Sequence, residues 1–207
     1  MTLESSKNLG GVGAILLFIG VLPWIAPYGW VLGLVGLILA MMGFKGLADY
    51  YKETGVFNNA LYAIILAVIG VVVFAALLFT AFVGVLADLG LTVANIAEWS
   101  GTFTQLDLVG TSILWDFVAQ ILLAGVVLWI CLIIAAVLLR KSLGVVSAKS
   151  GVGLFGTTGL LILIGAVIPL IGLLLIWISL LLMAVAFFSL RPQQAQPAMS
   201  VAAPTQV

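Results

Sequence analysis

Histidine is missing from the 207-residue chain, and cysteine occurs once, at Cys131. Most zinc sites, haem ligands, proton relays and catalytic triads use histidine, because its unperturbed pKa lies near neutrality. One cysteine cannot form an intrachain disulfide or, by itself, hold an iron–sulfur cluster or a thiolate zinc site. The carboxylates of aspartate and glutamate are the remaining candidate metal ligands, and the chain has few of them. We therefore predict no catalytic residue, no metal site and no cofactor, and we expect a protein that is not an enzyme.

Charge is also scarce. Only 7% of the residues are charged and 65% are hydrophobic, whereas a soluble domain carries about 25% charged residues to hydrate its surface. Seven basic and seven acidic residues cancel, and the absence of a basic run predicts no nucleic-acid partner. The composition instead predicts an integral membrane protein whose main partners are membrane lipids.

The apolar segments predict an all-α, polytopic transmembrane bundle of about six spans. About 20 helical residues cross a bilayer core of about 30 Å. The third and fourth segments are longer and are expected to tilt or project, whereas the first two are short, which leaves a re-entrant hairpin open as the alternative. One transmembrane domain (1–190) is predicted, with an outward loop at 88–112 and a tail at 191–207. The predicted spans are residues 11–25, 30–44, 59–86, 113–139, 152–168 and 170–190.

The basic residues predict the orientation. With alternating spans, every lysine and arginine falls on the side of the N-terminus, and three acidic residues of the 88–112 loop fall on the other side. Basic residues favour the cytoplasmic side, so we expect a plasma-membrane protein with both termini cytoplasmic. Removing spans in pairs would preserve this pattern. The basic residues are Lys7, Lys45, Lys52, Arg140, Lys141, Lys149 and Arg191.

Four polar side chains inside predicted spans are candidate functional residues. Asp116 and Gln120 are four residues apart and share a helix face, and a carboxylate at membrane depth is costly enough to suggest an ion or proton role. A position in the first turn of a helix, near water, explains Asp116 equally well. Thr157 and Thr158 need no ligand, because their hydroxyls can bond to their own helix.

The glycines predict helix packing. Small residues let helix backbones approach closely, and this contact drives helix association in lipid. Two series are candidates, within the chain or against another subunit: Gly29, Gly33 and Gly36, and Gly153, Gly156 and Gly159.

A weak internal repeat relates the first and last hairpins. Residues 13–23 align without gaps to residues 159–169, with four of eleven positions identical. In the six-span arrangement the repeat of hairpins 1–2 and 5–6 would be parallel. Apolar sequence of low complexity also produces such matches by chance, so both explanations stay open.

Residues 3–16 (LESSKNLGGVGAIL), 33–39 (GLVGLIL) and 45–52 (KGLADYYK) resemble a largely archaeal family of uncharacterised multi-pass membrane proteins, catalogued as a domain of unknown function. The resemblance implies an archaeal plasma membrane and supplies no site residues. The scarcity of ionisable groups in the spans, together with the glycine series, favours a non-catalytic accessory or structural subunit of a membrane complex. A small-solute or ion transporter or channel is the alternative.

Overall fold

A computed structural model describes residues 2–22, 26–88, 90–91, 111–169 and 171–192. Within these ranges the chain forms helices and no strand, which confirms the all-α prediction. Most of the predicted 88–112 loop and of the 191–207 tail lies outside the described residues. The six helices are α1 (Leu3–Gly20), α2 (Ala26–Tyr51), α3 (Thr54–Asp88), α4 (Thr111–Ser150), α5 (Gly153–Val167) and α6 (Ile171–Phe188).

The helix ends follow local chemistry. The hydroxyl of Thr2 accepts a hydrogen bond from the backbone N–H of Ser5, which caps the start of α1. α2 ends where Lys52 takes a left-handed conformation (φ 55°) and the N–H of Glu53 bonds to the carbonyl of Ala48, as in a Schellman motif. Gly55 follows this break and already lies in the first turn of α3.

The six helices form a closed ring in chain order. Each packs against the next, and α6 packs against α1. Neighbours run antiparallel, so the first and last described residues meet: the ammonium of Lys7 donates to the carbonyl of Leu190 at 3.2 Å. We call this the terminal end of the bundle, and the opposite end the distal end.

Four of the described helices are long and apolar enough to cross a membrane, namely α2, α3, α4 and α6. α5 is apolar but has 15 residues, or about 22 Å. α1 has 18 residues and carries Glu4 and Lys7 in its first half. The structure therefore fits a membrane protein, and six full crossings stay a prediction.

The core of the terminal end is built around Phe187 of α6. Its ring meets Phe44 of α2 and Phe155 of α5 edge to face, with centroids 5.4 and 5.2 Å apart. Gly10 of α1 faces the same ring, and a Cβ there would overlap it. Four helices thus meet at one side chain, which is fully buried.

Glycines set the distance between α1 and α2. Gly29 and Gly36 are spaced by seven residues on α2 and face Gly20 and Gly13 of α1. A Cβ at Gly36 would lie 2.8 Å from the carbonyl oxygen of Gly13 and 2.8 Å from the amide nitrogen of Leu17. The backbones are in direct contact, so these positions admit no side chain.

Gly33 supplies the matched control for this contact. A Cβ at Gly33 would meet no atom within 4 Å, although its backbone lies beside Gly20. We expect Gly36→Ala to lower the free energy of unfolding by about 1–3 kcal/mol through overpacking, and Gly33→Ala to leave it unchanged or raise it, since alanine favours the helix. Unfolding of the purified variants in detergent measures both effects. Equal losses of unfolding free energy in the two variants would contradict the close contact of Gly36 with α1.

Candidate functional site

An apolar space of about 190 Å³, partly open to its surroundings, lies among four helices, and we call it the central cavity. Residues of α3, α4, α5 and α6 line it, and half of them are alanines, whose small side chains leave the space. Such a lining suits apolar molecules better than water. Its alanines are Ala63, Ala67, Ala135, Ala136 and Ala166.

Two tryptophans tie helix ends together around this cavity. The indole N–H of Trp129 on α4 donates to the carbonyl of Ala166 at 2.8 Å. The indole N–H of Trp177 on α6 donates to the carbonyl of Phe18 at 3.1 Å, and the two rings stack at 4.5 Å. Both acceptors lie in the last turn of their helices, where carbonyls lack intrahelical partners. The indoles therefore satisfy backbone groups that the membrane would leave unpaired.

A second apolar space, the α2–α3 groove, lies between α2 and α3. It consists of two hollows of about 310 Å³ each. Leu37 and Ile64 line both hollows, and Ile64 also lines the central cavity. Lys45 lines the hollow near the terminal end and is the one charged residue of the groove. Sequence reasoning used Lys45 for orientation only and did not find the groove.

Asp116 and Gln120 lie far from both apolar spaces. They belong to the distal hairpin, which we define as residues 73–88 of α3 and 111–128 of α4. Both side chains are exposed, and the cavity begins at Leu132, three turns beyond Gln120. The structure does not bring them together with Thr157 or Thr158. Within the described part of the chain, no cluster of acidic or cysteine side chains forms a metal site.

The threonine pair bonds to its own helix. The hydroxyl of Thr158 is buried and donates to the carbonyl of Leu154 at 2.8 Å, and that of Thr157 is exposed and donates to the carbonyl of Gly153 at 3.4 Å. Neither hydroxyl is left for a ligand by this geometry.

The second glycine series contributes unequally to packing. A Cβ at Gly159 would lie 3.2 Å from the Cα of Arg140, and one at Gly156 would lie 3.3 Å from the hydroxyl of Ser147, so both face α4. A Cβ at Gly153 would meet no atom within 4 Å. The expected packing role of Gly153 is therefore not seen within the chain, because it stands at the open start of α5.

Polar contacts of the described residues concentrate at the terminal end. The hydroxyl of Ser142 on α4 is fully buried and donates to the carbonyl of Val56 at 2.6 Å. Glu53 and Lys149 form a half-exposed ion pair at 2.6 Å, a kind of contact that stabilises by about 0–1 kcal/mol. The hydroxyl of Tyr51 is buried without a hydrogen-bond partner among the described residues.

Comparison with known proteins identifies the family of this chain. A family described as protein of unknown function (DUF996) matches residues 32–187, from within α2 to the end of α6. The chain belongs to this family. An uncharacterized protein of Methanocaldococcus jannaschii is 28% identical over 193 residues, covering 92% of this chain and 94% of that protein. No solved structure matches the chain. The resemblance to an archaeal family of unknown function is confirmed.

The two buried hydroxyls of the terminal end predict opposite effects. Ser142→Ala removes a buried hydrogen bond between α4 and α3 and should lower the free energy of unfolding by about 0.5–1.5 kcal/mol. Tyr51→Phe removes a buried hydroxyl that lacks a partner, and should leave stability unchanged or raise it. Unfolding in detergent compares the two variants. A larger loss for Tyr51→Phe would show that its hydroxyl has a partner.

Proposed function

We propose that this protein is a non-catalytic accessory or structural subunit that binds another membrane protein through its distal hairpin. The observation that carries the proposal is the exposure of that hairpin. Several large apolar side chains among its described residues are exposed. The most exposed are Trp115 (71%), Leu122 (65%), Leu123 (63%) and Phe79 (61%).

Helix length argues that lipid alone does not cover this surface. The apolar part of α4, residues 113–139, has 27 residues and is about 40 Å long. Fitting it into a core of about 30 Å needs a tilt of roughly 40°, twice the average of about 20° for membrane helices. α3 is equally long. A protein partner beside the distal hairpin would cover the excess apolar surface.

The two glycine series are partly used within the chain. Gly29, Gly36 and Gly159 already contact neighbouring helices, whereas a Cβ at Gly33 or Gly153 would meet no atom within 4 Å, so these two positions stay open to a partner. The interior is lined by apolar side chains, which suits packing better than the passage of ions. Support for the transporter alternative is correspondingly weak, because Asp116 lies outside the cavity.

The proposed orientation places the terminal end in the cytoplasm of a plasma-membrane protein. Lys7, Lys45 and Lys149 all lie at this end, and the positive-inside rule favours the cytoplasmic side for them. The distal end and the 88–112 segment would then face outward.

Thiol labelling tests this orientation. In a Cys131→Ala background, single cysteines replace Lys52, Gly101 and Lys149. We expect a membrane-impermeant maleimide to label position 101 from outside intact cells, and to label positions 52 and 149 only after the cells are opened. Labelling of all three positions from the same side would contradict the odd number of crossings predicted between position 101 and either terminus.

Photo-crosslinking in native membranes tests the partner surface. A photoreactive amino acid replaces Leu122 in the distal hairpin, and a matched variant carries it at Leu174 of α6, which is 55% exposed. We expect position 122 to give a discrete protein adduct, either with another subunit or with a second copy of the chain, and position 174 to give lipid adducts.

Two results would overturn the proposal. One is the same lipid adducts at positions 122 and 174. The other is ion or solute flux by the chain alone in liposomes that Asp116→Asn abolishes, because this result would establish the transporter.

A further inference from the structure

The α2–α3 groove is an open apolar depression along the side of the bundle, formed by two hollows that share Leu37 and Ile64. On α3 it extends from Phe57 to Val72, a distance of 15 residues or about 22 Å. One leaflet of a bilayer is about 15 Å thick in its hydrocarbon region. The groove is therefore long enough to hold one lipid chain over the full depth of a leaflet.

The two helices that form the groove pack against each other less closely than any other neighbouring pair of the ring. Leucine, isoleucine, methionine and valine side chains stand between them where glycines stand between α1 and α2. Helices of this kind do not draw together in lipid, because the lipid chains are as apolar as the side chains. The gap is thus a property of the sequence at these positions.

The two hollows are too small to take in a whole helix. A helix about 10 Å across would fill roughly 1,700 Å³ over 22 Å, whereas the two hollows have about 310 Å³ each. A single alkyl chain is the thinner object that fits.

The positive charge of Lys45 at the terminal end of the groove favours a lipid with an anionic headgroup. Lys45 is exposed and lines the same hollow as Met41 and Phe57. Among the described residues, no carboxylate lies within ion-pair distance of its ammonium. Lysine is a common phosphate ligand, and a lysine at the membrane surface attracts anionic lipids.

We propose that the α2–α3 groove binds one chain of an anionic phospholipid, with the phosphate at Lys45. The site is independent of the distal hairpin, so its failure would leave the proposed function untouched. The shared wall at Ile64 also brings the lipid chain against the central cavity.

Native mass spectrometry of the full chain tests the headgroup. The protein is stripped of lipid in detergent and given phosphatidylglycerol or phosphatidylcholine with identical chains. We expect one tightly held phosphatidylglycerol, with about ten-fold preference over phosphatidylcholine. Lys45→Gln should abolish the preference, and Lys141→Gln, an exposed lysine on α4, should retain it. Equal effects of the two substitutions would overturn the headgroup site.

Substitutions that block the groove test whether the alkyl chain of the lipid binds there. Leu37→Trp fills the junction of the two hollows and should remove the bound lipid of either headgroup. Val118→Trp, on the distal hairpin, should have no effect. Val68→Phe adds a smaller block from an exposed position on α3 and should also weaken binding if Leu37→Trp fails to fold. Retention of the lipid by Val68→Phe and Leu37→Trp alike would show that it binds elsewhere on the surface.

Discussion

The contact of Phe187 with the bare backbone of Gly10 is the constraint on which the terminal end depends. α6 follows α1 by more than 150 residues, and the ring closes only because an aromatic side chain of one helix fits where the other has none. Phe44 and Phe155 then pack edge to face on the same ring, an arrangement that aromatic quadrupoles favour. Once these helices are fixed, the short links between them leave α3 and α4 little choice of position.

Packing loosens with distance from this contact. In lipid, association depends on shape, and only small residues bring backbones together. Gly20 and Gly29 maintain the contact of α1 with α2 to its distal limit, and Gly165 and Gly172 do the same for α5 with α6. α2 and α3 have no such pair where they face each other. The cavity and the groove are the space that results, and the indole bonds of the tryptophans keep the surrounding helix ends in place.

The sequence predicts the helices better than their contacts. Apolar runs locate every helix, but the run that begins near Asn59 misses the first turn of α3, because the polar residues from Thr54 are helical and face the ion pair and Ser142. The break at Lys52 rests on a backbone conformation that lysine rarely adopts. Gly33 and Gly36 look alike in the sequence pattern, yet only Gly36 points its Cα hydrogen into the backbone of α1. That difference depends on how α2 is rotated about its axis, and a uniformly apolar sequence does not indicate this rotation. The cavity escapes prediction for the same reason, since alanines of three separate helices have to meet.

Basic residues and the distal hairpin with its exposed apolar side chains lie at opposite ends of the described molecule. The basic residues and the opening of the groove lie together at the terminal end, where anionic headgroups are attracted. The exposed hairpin lies at the distal end, beyond the last contacts of α5. A lipid in the groove would contact α2 and α3 at once and thereby hold α3, the first helix of the hairpin, against the rest of the ring.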